Sequence, residues 1–289
     1  MKILTIIVTF NGMEWIDRCL SSVQESSLHS DIMIVDNGST DGTVEHVQST
    51  FNGIEIIASK ENLGFGKANN IGLLKAVNNQ YDYVYLLNQD AWIEKETLEK
   101  LVDIHQRNPA YGILSPLQTD ATKKNLDRNF VLACNDYMLS DACCGNLKEF
   151  YPTEIVMAAH WLISKDCLAK TGGFSPTFPH YGEDNNYAQR AAFHGFKIGI
   201  VTTTKGVHDR SERVMTKAKS RYLHYINGLI MLSCPRNRRG LLFLTFDYIK
   251  YFLKQPSFDY IKYYFRTLCN LREINHNRII SLQSHAFLH

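Results

Sequence analysis

No uninterrupted apolar run in the 289 residues reaches the ~18 positions that a spanning helix needs. The apolar start Met1-Lys2-Ile3-Leu4 is not followed by a small-residue cleavage site, so a first strand is expected there rather than a secretory leader. Spaced cysteine pairs are missing as well. The seven cysteines (Cys19, Cys134, Cys143, Cys144, Cys167, Cys234, Cys269) are scattered and odd in number, which suits neither a zinc site nor a disulfide framework. Free or buried thiols in a reducing compartment follow, and a cytoplasmic location is expected. The loop Thr9-Phe10-Asn11-Gly12 carries no G-x-G-x-x-G, which excludes a dinucleotide fingerprint at that position. Net charge is also lacking: 31 basic against 29 acidic residues leave +2, too little for a generic nucleic-acid binder. Internal repeats and low-complexity stretches are absent. What remains is an ordinary globular composition, 45% hydrophobic and 21% charged, in a chain long enough for one large α/β domain with appendages or for two domains.

The first third alternates between two periodicities. Ile3 to Phe10 is apolar and β-branched, as in a strand buried on both faces, and Trp15, Ile16, Cys19, Leu20 and Val23 then recur at helical spacing. Further strands are expected at Asp31–Val35, Gly53–Ala58 and Tyr83–Leu87, with helices at Thr43–Ser49 and from Lys67 to about Asn78. Strand, loop and helix in succession predict a mostly parallel sheet flanked by helices, with ligands at the carboxyl ends of the strands. Asn11, Asp36-Asn37-Gly38-Ser39 and Asn88-Gln89-Asp90 fall at those ends. Beyond them, Pro116–Leu126 reads as loop, Asn129–Ser140 and Glu154–Ser164 as strands, Lys165–Lys170 as a short helix and Lys197–Val201 as a strand.

Each polar cluster admits two readings. Asp36 can accept hydrogen bonds from a nucleobase or ribose while the glycines let the backbone approach, or the segment is a turn in which Asp41 or Thr43 caps the next helix. Asp90 can hold a hard divalent ion together with a diphosphate, or cap a helix expected from Ala91 onward. Glu183-Asp184, at the start of a helix that follows an aromatic and proline-rich loop, can complement the helix dipole or supply a general base. His208 taken alone is more often a surface histidine than a ligand.

Their order is more specific than any one cluster. Strand-Asp-x-Gly-Ser-x-Asp, Asn-x-Gly-Phe-Gly-x-Ala-Asn-Asn-x-Gly, Leu-Asn-Gln-Asp, Gly-Gly-Phe…Tyr-Gly-Glu-Asp and Val-His resemble, over roughly residues 3 to 210, the inverting glycosyltransferases of family two, especially rhamnosyltransferase-like members. The resemblance implies a GT-A (Rossmann-like) fold at 1–210, with a nucleotide-sugar half at about 1–92 and an acceptor and catalytic half at about 93–210. It implies donor contacts from Thr9, Phe10, Asn11, Asp36, Asn37, Lys67, Asn88 and Gln89, and a divalent metal, Mg2+ or Mn2+, at Asp90 and His208. Asp184 would be the catalytic base beside Glu183, with Trp161 and Tyr181 toward the acceptor. Three departures stand out. Asn88 replaces the first acid of the D-x-D metal motif, Asn185-Asn186 follow the acidic pair, and Ala158-Ala159-His160-Trp161 replaces a small, glycine-containing stretch. The Q-x-x-R-W motif of processive synthases is missing, so a single addition per binding event is expected.

The resemblance implies inverting transfer of a sugar, rhamnose as first guess, from a nucleotide-diphosphate sugar to a hydroxyl of a glycan or lipid-linked glycan. Two rivals have their own motivation. A non-catalytic nucleotide-sugar or glycan-binding module would explain the lost acids, whereas a nucleotidyltransferase would need a basic glycine-rich loop that Phe10 to Trp15 does not contain. The rest of the chain, 211–289, reads as a basic, aromatic helical extension. From Lys205 to His289 there are 15 Lys+Arg against 5 Asp+Glu, a balance of +10, which leaves 16 against 24, or −8, before it. Leu242, Phe246, Ile249 and Leu253 lie apart from Asp247, Lys250 and Lys254 on one predicted helix, and a second stripe follows at Tyr260–Leu268. Packing on the catalytic part, dimerisation, and peripheral contact with the inner membrane face are the alternatives.

Overall fold

Buried β-branched and leucine side chains set the frame of the computed structural model, which describes residues 1–210, 216–236 and 240–288. In chain order the first elements are β1 (Ile3–Thr9), α1 (Ile16–Gln24), β2 (Asp31–Asp36), α2 (Thr43–Thr50), β3 (Ile54–Ala58), α3 (Gly64–Asn78) and β4 (Tyr83–Asn88). After them come β5 (Ala91–Ile93), α4 (Thr97–Arg107), β6 (Tyr111–Thr119), a 3-10 turn (Phe130–Ala133), α5 (Asp136–Cys143), β7 (Phe150–Thr153), β8 (His160–Ser164), α6 (Lys165–Thr171), α7 (Glu183–Phe193) and β9 (Lys197–His208). The last four elements are helices: α8 (Lys217–Ser233), α9 (Leu241–Lys254), α10 (Phe258–Cys269) and α11 (Leu271–Ile280).

The sheet runs β3-β2-β1-β4-β8-β6-β9-β5, with β7 also paired to β9. β8 is antiparallel to β4 and β6, and β5 and β7 are antiparallel to β9, so six of the nine strands share one direction. Because side chains alternate along a strand, β1 feeds two cores. Leu4 and Ile6 join Leu73, Trp161 and Phe174 on one face, while Ile3 and Ile7 join Ile16, Leu20 and Tyr85 on the other. Register then aligns the chemistry. Thr9 pairs with Asp36 and Val8 with Asn88, so three neighbouring strands end together.

The middle of the chain departs from expectation. Pro116–Thr119 belongs to β6, not to a loop. Asn129–Ser140 forms the 3-10 turn and the start of α5 rather than a strand. Side-chain oxygens decide this: Asp127 accepts from the backbone N–H groups of Asn129 and Phe130, and Asn135 caps α5 by accepting from Met138. Only His160–Ser164 of the expected strand at Glu154–Ser164 is extended in the sheet. Asn88-Gln89-Asp90 leads into β5 rather than a helix, because Ala91, Trp92 and Ile93 find partners on β9.

The last helices bury a small aromatic core around Tyr225, Leu244, Tyr248 and Tyr260, which includes Phe178 from the loop before α7. Beyond α11 the chain returns to the sheet. Gly173 N–H donates to Ala286, and Leu288 enters the first core. A Cβ at Gly172, which has φ +78°, would collide with the Ala286 backbone of this crossing segment, and one at Gly173 would meet the Asn70 and Leu288 side chains. The expected boundary at 210/211 falls where residues 211–215 lie outside the described residues.

Candidate active site

At the ends of β1 and β2, hydrogen bonds run from protein to protein. Asp36 is 1% exposed, and its carboxylate accepts from Thr9 Oγ1 at 2.7 Å, from the N–H groups of Gly38 and Ser39, and from Ser39 Oγ. Asn11 adopts φ +50°, with its Oδ1 accepting from Thr40 N–H and its own N–H donating to Ser39. Gln89 clamps the loop after β1 from both sides: its Oε1 accepts from Phe10 N–H at 2.8 Å and its Nε2 donates to the Phe10 carbonyl at 3.1 Å. Asn37, buried, accepts from Leu63 N–H and so ties this edge to the start of α3. Phe10, Asn11, Thr40 and Asp41 are exposed here, as is Lys67 in the first turn of α3. These bonds match the turn reading: Asp36 organises the turn, and Asp41 accepts from Thr43 N–H at the start of α2.

The second cluster lies where β4 passes into β5. Ala91 pairs with His208 across the sheet, and this register brings His208 Nε2 to 3.4 Å from Asp90 Oδ1 and 3.4 Å from Asn88 Nδ2. His208 is buried, contrary to the surface histidine suggested by its sequence context, because β9 continues beyond Val201 to reach it. Asp127 approaches from the other side, 3.8 Å from His208 Nδ1 and 3.6 Å from Arg210 Nε. Burial pushes the Asp90 carboxyl up, but the hydrogen bond and charge of His208, with help from Arg210, outweigh it and hold Asp90 below its ordinary value. Behind this cluster His160 donates from Nε2 to the Val207 carbonyl and accepts at Nδ1 from Tyr85. Burial and the neighbouring His208 depress it to about 3, so it is a neutral brace between strands.

The third cluster opens α7. Gly182, at φ +89°, caps the helix so closely under α8 that a Cβ would stand 2.7 Å from Ile226. Glu183 and Asp184 occupy the first turn. Glu183 is 6% exposed with no hydrogen-bond partner for Oε2 among the described residues, and burial, with the charge of Asp184 added, raises it to about 7. Asp184 keeps part of its surface open. Burial raises it too, against hydrogen bonds from Asn185 and the positive charge of Arg210. The charge of Arg210 lowers the proton affinity of both Asp90 and Asp184.

Residues 5–155 match the model of Glycosyl transferase family 2. The chain belongs to that family. A relative from Mycobacterium tuberculosis, N-acetylglucosaminyl-diphospho-decaprenol L-rhamnosyltransferase, is 27% identical over 124 residues, 40% of each protein. Among solved structures, S. aureus TarS 1–349 in complex with UDP-GlcNAc has a TM-score of 0.62 at 15% identity, over 98% of this chain and 84% of that one. GalNAc-T7 with UDP, GalNAc and Mn2+ has a TM-score of 0.61 at 14% identity, over 81% and 51%. At these identities the structural likeness shows the fold, which is GT-A-like. The chain spans less than half the length of several curated relatives it matches.

Two expected site residues part company in the structure. Tyr181 is partly open in the loop before α7, at φ +69°, with Lys219 of α8 over its ring. Trp161, assigned to the acceptor side, is corrected: it is fully buried, donates from Nε1 to the Val156 carbonyl, and packs against Phe174 and Tyr187. It lies on β8, in the middle of the sheet, where an indole fills core volume and no acceptor can touch it. Sequence reasoning missed Asp127 and Arg210. Arg210 stands two positions after the flagged histidine, which was a usable signal, whereas Asp127 comes from a loop with no motif. For a divalent ion, Asp90 and His208 offer two donors, and among the described residues no group of three or more His, Cys, Asp or Glu side chains forms a closed set. Such a pair fits an ion that takes its remaining ligands from a diphosphate.

Proposed function

We propose that this family 2 member transfers one sugar per binding event from a nucleotide-diphosphate sugar to a hydroxyl of a glycan or lipid-linked glycan, with inversion. The observation that carries the reading is the strand-end cluster: β1, β2 and β4 end together at Thr9, Asp36 and Asn88, and Asp90 just beyond lies 3.4 Å from the buried His208. Asp184 would take the proton of the attacking hydroxyl. Its raised affinity for a proton, caused first by burial, suits that role, and general-base assistance is worth ~10²–10⁴-fold. Glu183, buried behind it, would hold its own proton in the presence of the charged Asp184 and so leave Asp184 as the ionised member of the pair. The loop after β1, with Phe10 and Asn11 at its surface and Thr9, Asp36, Asn37 and Gln89 fixing its shape, would hold the nucleoside, with Lys67 near the phosphates.

Asp90 and His208 would hold Mg2+ or Mn2+ together with the diphosphate, beside Asn88. Bound there, the ion would neutralise charge developing on the departing diphosphate. Arg210 lies on the same side and supplies a fixed positive charge of its own. Rhamnose is the first donor to try, since a relative carries that specificity in its name, with UDP-linked hexosamines next. The test is a donor screen by nucleotide release with the wild type and Asp184→Asn. Loss of turnover in the variant with nucleotide binding retained supports the reading. Wild-type turnover in the variant ends the assignment of the base, and failure of every donor with the wild type favours a binding module.

A further inference from the structure

We propose that α9 and α10 form a docking surface for an anionic lipid bilayer. Leu242, Phe246, Ile249 and Leu253 form one stripe of α9 and are 50 to 77% exposed, while Phe258, Ile261 and Phe265 on α10 are 39 to 76% exposed. Large apolar side chains left in water at this density mark an interaction face rather than ordinary surface.

The wheel positions put the two stripes side by side. At about 100° per residue, the side of α9 that meets α10 carries Thr245 and Tyr248, which reach Tyr264 at 2.9 Å between hydroxyls and 5.5 Å between rings. Going round α9 away from α8, the exposed stripe comes next, and Lys250 and Lys254 follow it. On α10 the order from Tyr264 is the same: Ile261, Phe265 and Phe258, then Lys262, while Arg266 beyond it turns over the Tyr225 ring of α8. Both stripes therefore border one seam turned away from α8, and basic side chains edge it on both sides. The acids of these helices face elsewhere. Asp259 pairs with Arg221 at 2.6 Å and Asp247 lies 3.3 Å from His224, both toward α8.

That charge arrangement selects the occupant. A second copy meeting this face would set Lys250, Lys254 and Lys262 against their own kind, with Asp247 and Asp259 turned toward α8, whereas anionic headgroups complement the lysines. No described helix is long and apolar enough to cross a membrane, so the pair would lie in the interface with its apolar seam in the acyl boundary. α8 couples this surface to the acidic pair: Leu244 of α9 packs where Gly228 leaves room, and Ile226 and Ile230 pack over Gly182. A docked enzyme would hold its acceptor loop at a fixed orientation to the bilayer.

Co-sedimentation of the full chain with phosphatidylcholine vesicles, with and without phosphatidylglycerol, tests this. Binding is expected only to the anionic vesicles and should weaken severalfold between low salt and 0.5 M salt, roughly a Debye length of 4 Å. Lys250→Glu/Lys254→Glu/Lys262→Glu and, separately, Phe246→Ser/Leu253→Ser should each lower partitioning by about tenfold or more with unchanged melting temperature. Equal recovery on both vesicle types, absence of binding, or wild-type partitioning by both variants overturns the proposal. A dimer that forms without lipid and is abolished by Phe246→Ser/Leu253→Ser overturns it in favour of a second copy.

Discussion

Two buried carboxylates, Asp36 at the end of β2 and Glu183 at the start of α7, are exposed to nearly the same extent and live opposite lives. Asp36 accepts four hydrogen bonds from Thr9, Gly38 and Ser39, so its charge is already answered by the protein. Glu183 has an oxygen with no partner among the described residues and a second carboxylate beside it, and its proton affinity rises accordingly. A satisfied buried carboxylate builds a turn. An unsatisfied one stores electrostatic tension that a neighbour such as Asp184 can use.

The contrast can be broken from either side. The largest effect is expected at the acidic pair: Asp184→Asn should lower turnover by ~10²–10⁴-fold while the nucleotide dissociation constant, by titration calorimetry, stays within about twofold. At the other carboxylate the order reverses. Asp36→Ala strands four donors in the turn, so a stability loss of roughly 3 kcal/mol in urea unfolding is expected, with nucleotide affinity falling because the loop loses its shape. If Asp36→Ala instead kept wild-type stability and lost only affinity, its carboxylate would be a ligand group and not a strut. Trp161→Phe comes next, at about 2 kcal/mol for lost core volume and the indole hydrogen bond to Val156, with the acceptor KM unchanged. A raised KM at unaltered stability would return Trp161 to the acceptor side.

How much of this was legible in the sequence follows the range of the interactions. The first four strands and their helices are written in local periodicity, and the polar clusters at Asp36, Asp90 and Glu183 stood out because turns and helix starts use few residue types. The segment from Pro116 to Ser164 was misread where single side chains decide. Asp127 and Asn135 cap backbone N–H groups there, and β6 extends only because β9, some 80 positions later in the chain, is beside it. His208 looked like surface for the same reason. Its burial depends on β5 pairing with β9, a contact between residues more than a hundred positions apart. Trp161 failed differently: a motif position taken for the acceptor side turned out to be the centre of β8, and burial is invisible to a motif.

The smallest effect is the most direct reading of Glu183. Burial first, and then the charge of Asp184, raise its carboxyl from the ordinary 4.5 to about 7, so between those values the folded chain holds a proton that the unfolded chain has released. Stability from this group is therefore complete below about pH 4.5 and declines as pH rises through 7, by on the order of 1 kcal/mol between pH 5.5 and 7. Glu183→Gln, neutral throughout, should flatten that part of the urea-unfolding profile while the rest keeps its shape. Because Glu183 is already protonated where Asp184 releases its proton, the acid limb of turnover should stay in place in this variant. A profile that kept its slope in the variant would mean that Glu183 is ionised in the fold, and the difference from Asp36 would vanish.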